Sequence, residues 1–225
     1  MNYLSEYIKK GDTLRKIKKY KEAIEFYDMA LKINMESTDA LCGKGMALKE
    51  IDEPEKSLEY FDKILKIDSE DSIALNNKGN ILSEYFGEYE EAIECYEKVI
   101  SLNPKDGCAW SNLGNVYGEL EKYDEAVKCF DRAIQLNPDF VTPMYNKGIA
   151  LDDLGWKKHA LEYYNKTLEA DPNNVDALFR KAVDLYIMGK YGDALDCFEK
   201  AHSINQDITN YKYYKNACLL HLKRK

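Results

Sequence analysis

Apolar residues return along this chain at intervals of three and four, as in Trp110, Leu113 and Tyr117 and then Ala126, Val127, Phe130 and Ala133. That is the period of a helix burying one stripe. The pattern itself recurs. A small residue stands at Gly11, Gly45, Gly79, Gly114, Gly148 and Ala182, with gaps of 34, 34, 35, 34 and 34 residues. Twelve residues later, thirteen in the third case, comes a second small column of Ala23, Ser57, Ala92, Ala126, Ala160 and Ala194. Four residues beyond it runs an aromatic column, Tyr27, Phe61, Tyr96, Phe130, Tyr164 and Phe198. A large apolar column, Tyr7, Leu41, Leu75, Trp110, Met144 and Leu178, precedes the first small one by four. Turn residues divide each repeat at Gly87-Glu-Tyr89, Glu121-Lys-Tyr123 and Gly189-Lys-Tyr191, and Asn103-Pro104, Asn137-Pro138 and Asp171-Pro172 separate one repeat from the next. Proline lacks a donor and pushes the preceding residue out of the helical region. Six helix pairs are therefore predicted, each too small to bury its apolar face except against a neighbour.

The fourth repeat, Trp110-x-x-Leu113-Gly114-x-x-Tyr117 followed by Ala126, Phe130, Ala133 and Pro138, closely resembles the tetratricopeptide repeat. The resemblance implies an all-α fold, a right-handed superhelical solenoid of antiparallel helix pairs, over a single domain 1–225. Its repeats are expected at 4–37, 38–71, 72–106, 107–140, 141–174 and 175–208, with a capping helix over 209–225. Met35, Ser69 and Gln206 stand in place of the family's proline, Ala182 in place of its glycine and Ser57 in place of an alanine. Tyr211, Tyr214, Ala217 and Cys218 form the expected apolar stripe of the cap, and Lys215, Lys223, Arg224 and Lys225 its basic, solvent-facing part. The extra residue of the third repeat, between Gly79 and Ala92, is expected to lengthen the turn between its two helices. The alternative is that Tyr85 or Phe86 projects from it to grip a partner.

Composition narrows the function. The chain has 40 acidic against 32 basic residues, a formal net charge of −8, which opposes binding to phosphate backbones and to anionic membrane surfaces. No apolar run is long enough to cross a bilayer, and the first ten residues lack the apolar core of a secretory signal. A cytoplasmic protein is expected, with no appended effector domain. Cys95, Cys129 and Cys197 share one repeat position and no Cys-x-x-Cys occurs, so the cysteines read as small buried hydrophobes. His159, His202 and His221 show no metal spacing, and no phosphate-cradling glycine loop is present. Asn165-Lys-Thr167, a glycosylation pattern, falls inside a predicted helix. No catalytic residue, cofactor or metal is expected.

The resemblance places the working surface on a concave groove lined by the first helix of each pair. Groove positions carry Asn77, Asn80, Asn112, Asn115 and Asn146. An amide donates and accepts at once, so this ladder either holds an extended peptide backbone or simply follows the family consensus. Some co-chaperones of the family clamp a partner's C-terminal carboxylates with two lysines, two asparagines and an arginine. Asn115, Asn146 and Arg180 correspond here, whereas Ser111 and Asp176 replace the lysines, so an acidic tail is not the expected ligand. Glu50, Glu84, Glu119 and Asp153 recur five residues after the small column, with Asp152 alongside. They form either an acidic stripe that attracts basic segments or merely solvated helix ends. Arg15 and Lys16 make the first repeat basic, and Phe179, Val183, Tyr186 and Ile187 make the last apolar. The expected partner is a protein or peptide, one with a basic segment if the stripe is real. Self-association is an alternative, and a helical-repeat nucleic-acid binder a weaker one.

Overall fold

The computed structural model describes residues 3–223, so Arg224 and Lys225 of the basic tail lie outside the described residues. Thirteen α-helices and no strand occur among those residues. They are α1 Tyr3–Lys16, α2 Tyr20–Ile33, α3 Thr38–Glu50, α4 Pro54–Ile67, α5 Ser72–Ile81, α6 Tyr89–Leu102, α7 Gly107–Glu119, α8 Tyr123–Leu136, α9 Val141–Asp153, α10 Lys157–Ala170, α11 Val175–Ile187, α12 Tyr191–Ile204 and α13 Tyr211–Lys223. The chain divides into two compact units, Met1–Val116 and Tyr117–Lys225. In the first, α1 to α6 pack each on the next, and the first helices of the pairs also touch one another, α1 with α3 and α3 with α5. In the second, α8 to α13 pack in the same consecutive way. No described helix is long and apolar enough to cross a membrane.

The helix breaks follow from the backbone. Every first helix ends on a residue in the left-handed region, at Lys18, Asp52, Gly87, Glu121, Gly155 and Gly189. It lies seven residues past the small column, and eight past it in the third repeat. In the other repeats a bond across five residues closes the turn, as from Glu53 N–H to Leu48 C=O at 3.0 Å. In the third repeat Glu88 N–H reaches back six residues, to Leu82 C=O, at 3.0 Å. The extra residue thus does not lengthen the turn. Leu82–Phe86 winds as a π-helix that absorbs it inside the helix end. Phe86 packs onto the core beside Ile81 and Phe61, and only Tyr85 projects, 40% exposed.

Each pair closes around its two small columns. Tyr27, Phe61, Tyr96, Tyr164 and Phe198 are almost wholly buried, as are Ala23, Ala92, Ala126, Ala160 and Ala194. Ser57 keeps its place in the alanine column because its buried hydroxyl donates to Gly45 C=O at 2.7 Å, so no polar group is left unsatisfied. The tyrosine hydroxyls select the residue after the glycine. Tyr27 donates to Asp12 at 2.8 Å and Tyr96 to Asn80 at 2.6 Å. In the fifth repeat that residue is Ile149, and the Tyr164 hydroxyl is buried with no partner.

A second recurrent contact binds one repeat to the next. The acid following the aromatic column meets a lysine sixteen residues on. Asp28 pairs with Lys44 at 2.5 Å, Asp62 with Lys78 at 2.7 Å and Glu199 with Lys215 at 2.9 Å, and Asp131 pairs with Lys147. Lys44 and Lys147 also lie over the rings of Tyr60 and Tyr163, at 4.7 and 4.1 Å from the centroids. The lysine stem lies along apolar surface while its head is held from two repeats at once.

In the second unit Lys157 binds both Asp152 and the wholly buried Asp184, the latter at 3.1 Å. The other Asp184 carboxylate oxygen is buried without a partner. Burial raises the Asp184 carboxyl above the ordinary range, Lys157 opposes the rise and Asp152 adds to it.

Two predictions follow from these groups. Tyr27→Phe removes a satisfied bond and should cost about 0.5–1.5 kcal/mol in urea unfolding, whereas Tyr164→Phe removes an unsatisfied hydroxyl and should be neutral or stabilising. Equal losses in both would contradict this reading. Because the folded pKa of Asp184 is raised, its contribution is fully present below the unfolded carboxylate range and is lost as pH rises through the folded value. Asp184→Asn should therefore gain on the wild type as pH rises from about 4 to 7, and the opposite trend would refute the assignment.

Candidate peptide-binding face

The candidate residues stand on the first helix of each pair, and each unit is built separately. In the first unit Asn77, Asn80, Asn112 and Asn115 come from α5 and α7. Their spacing puts them on the side of the helix away from the glycine column or just beside it. The Asn80 carbonyl oxygen accepts from the Tyr96 hydroxyl and from the Asn112 amide, the latter at 3.0 Å. Those two asparagines are joined to each other and to the repeat core. Asn77 donates to Ile73 C=O of its own helix at 2.8 Å, and Asn115 is exposed. The ladder is thus brought together in part, with Asn80 and Asn112 already committed to bonds within the protein.

The acids of this unit also have partners. Glu50 accepts from the Tyr20 hydroxyl at 3.0 Å and Glu84 pairs with Lys49 at 2.9 Å. Burial chiefly, then the hydrogen bond it donates to Glu50, raises the Tyr20 phenol above its ordinary value.

In the second unit Asp152 is held by Lys157, and Asn146 is half-buried on α9. Glu119 and Asp153 make no ion pair among the described residues. They share the neighbourhood of Tyr123, whose phenol is raised first by desolvation and then by Asp153, Glu121 and Glu119 in that order. Three carboxylates therefore act on one tyrosine at the start of α8. Tyr123 escaped sequence reasoning because it reads as an ordinary turn residue. Its thirty-residue distance to Asp153, the same as from Tyr20 to Glu50, was the available signal.

The apolar end takes a different form. Phe179 lies against Phe198 and Tyr214, with centroids 5.3 and 5.8 Å away, and Tyr186 against Tyr191, Tyr214 and His221. Tyr214 and His221 of the C-terminal helix α13 pack against these rings. Arg180 stays exposed on α11, its charge strengthened by Tyr164, Tyr145 and Asp153 against the cost of burial. Among the described residues no three His, Cys, Asp or Glu side chains converge as a metal site would require.

Comparison with known proteins gives the geometry a context. Tetratricopeptide repeat models match residues 107–140 and 175–208, and 7–35, 38–71 and 141–174, and a TPR repeat model matches 86–121. No curated protein matches the chain by sequence. Among solved structures, YrrB, described as a TPR protein with an unusual peptide-binding site, is 26% identical over 84% of this chain and 97% of its own, with a TM-score of 0.65. MamA is 25% identical over 72% of this chain and 94% of its own, with a TM-score of 0.63. PilF of Pseudomonas aeruginosa, 21% identical, covers 96% of this chain and 97% of its own with a TM-score of 0.84, which speaks for the fold alone. With consecutive helix pairs, glycine-to-aromatic closure and repeat models along most of its length, the chain belongs to the tetratricopeptide repeat family.

Proposed function

We propose that this protein is a non-catalytic scaffold that holds a peptide or protein segment on the face formed by its first helices, and that the segment is basic. The observation that carries the basic preference is the set of unpaired acids around Tyr123 in the second unit. Glu119 and Asp153 have no lysine of their own, unlike Glu84 and Asp152. Glu119 keeps its potential toward an arriving cation, Asp153 shares its own with Arg180, and an aromatic face beside them adds attraction for a guanidinium or ammonium group. The net charge of −8 supports a protein rather than a nucleic-acid partner. Family membership supports a scaffold, and the peptide-binding description of YrrB supports a peptide ligand.

Reversal of the two free acids is the direct test. Glu119→Lys with Asp153→Lys, compared with the wild type in capture of lysate proteins at low and moderate salt, should abolish a salt-sensitive basic partner, whereas Glu84→Gln should change little. An identical set of captured proteins in all three would remove the acidic site from the account.

A further inference from the structure

The second unit contains a cleft of about 400 Å3 between α9, α11 and the segment joining α12 to α13. Tyr145, Phe179 and Ile208 supply its apolar wall, and Asp176, Asp207 and Arg180 its charges. The volume is large enough for one side chain, and the cleft is open to solvent on one side.

Its charge balance decides the occupant. Arg180 also lines the cleft, with the Tyr145 hydroxyl against it and Asp153 acting on it from outside, so the cleft carries one positive against two negative side chains. Asp176 and Asp207 are both exposed and make no ion pair among the described residues. The Tyr145 phenol is raised by burial and next by Asp176, which puts that carboxylate's field on the ring. Two unpaired carboxylates beside a tyrosine and a phenylalanine form a surface complementary to a planar cation. The methylene stem and guanidinium plane lie on the rings, and the N–H edge donates to the carboxylates.

Building on the scaffold reading, we propose that this cleft receives one arginine side chain of the bound segment. Asp176 and Asp207 accept from its guanidinium, and Tyr145, Phe179 and Ile208 hold its stem. The site joins two parts of the chain that no repeat position links. Asp176 belongs to the first helix of the last repeat, while Asp207 and Ile208 belong to the return toward the cap.

The test uses the full chain, 15N-labelled, titrated with Nα-acetyl-arginine methylamide and with its citrulline analogue, which keeps the shape and lacks the charge. The expected result is saturable shifts of the Phe179, Asp207 and Ile208 amides with the arginine probe. The response to citrulline should be weaker by at least about fivefold. Asp176→Asn with Asp207→Asn, its spectrum otherwise unchanged, should lose the response. An equal response to citrulline, persistence in the double variant, or shifts confined to the surroundings of Tyr123 would overturn the assignment. If partner capture remains sensitive to Glu119 and Asp153 while the cleft gives no response, the cleft proposal fails and the scaffold reading stands. If the cleft responds and nothing is captured, the cleft proposal stands without it.

Discussion

The helix pairs close on an aromatic ring lying against a stretch of helix that, except at Ala182 of the last repeat, has no β-carbon. A Cβ placed on Gly11 would sit 2.6 Å from the Tyr27 ring, one on Gly79 2.8 Å from Tyr96 and one on Gly148 2.5 Å from Tyr164. No side chain tolerates such distances, so the two helices of a repeat are as close as backbone and ring allow. Tyr27 is gripped a second time, by Gly43 of the following repeat, where a Cβ would lie 2.4 Å away. One ring therefore fixes both the angle within a pair and the seat of its neighbour. The spacing of the first helices within each unit follows from these contacts.

The same constraint limits what those helices can offer. Where the ring is a tyrosine, its hydroxyl emerges beside the residue after the glycine, which accepts a bond where it is polar, and in the fifth repeat, where it is Ile149, leaves the hydroxyl unsatisfied. Asp12 and Asn80 accept such a bond. Asn80 is thus part of the repeat's internal bonding before it is anything else. The lysines act similarly, because Lys49 and Lys157 neutralise acids that the sequence presents as free. Glu119 and Asp153 near Tyr123, and Asp176 and Asp207 of the last repeat, make no ion pair among the described residues.

Much of the fold was legible because it depends on columns. Glycine, alanine and aromatic positions carry the closure, and their period is visible without coordinates. The left-handed residue at each helix end could be read at Gly87, Gly155 and Gly189, but Lys18, Asp52 and Glu121 adopt the same conformation without glycine's signature. The third repeat's extra residue was legible and its destination was not, since a turn and a π-helix absorb one residue equally well at the level of sequence. The candidate site was less legible. A list of acids at one repeat position does not say which of them a lysine from elsewhere will reach, and the sixteen-residue acid-to-lysine spacing shows only once the helices are stacked. Phe179 and Tyr186 looked like open groove because the path of α13 over them is set by side-chain packing, not by period.

The most direct measurement of the central claim compares alanine at two helical glycines by denaturant unfolding. Gly148 faces the Tyr164 ring, while a Cβ on Gly118 would meet nothing within 4 Å. Gly148→Ala should lower stability by about 1–3 kcal/mol through overpacking. Gly118→Ala should leave it unchanged or raise it by up to about 1 kcal/mol through helix propensity. The same small change at both sites would mean that the ring-to-backbone contact does not set the architecture.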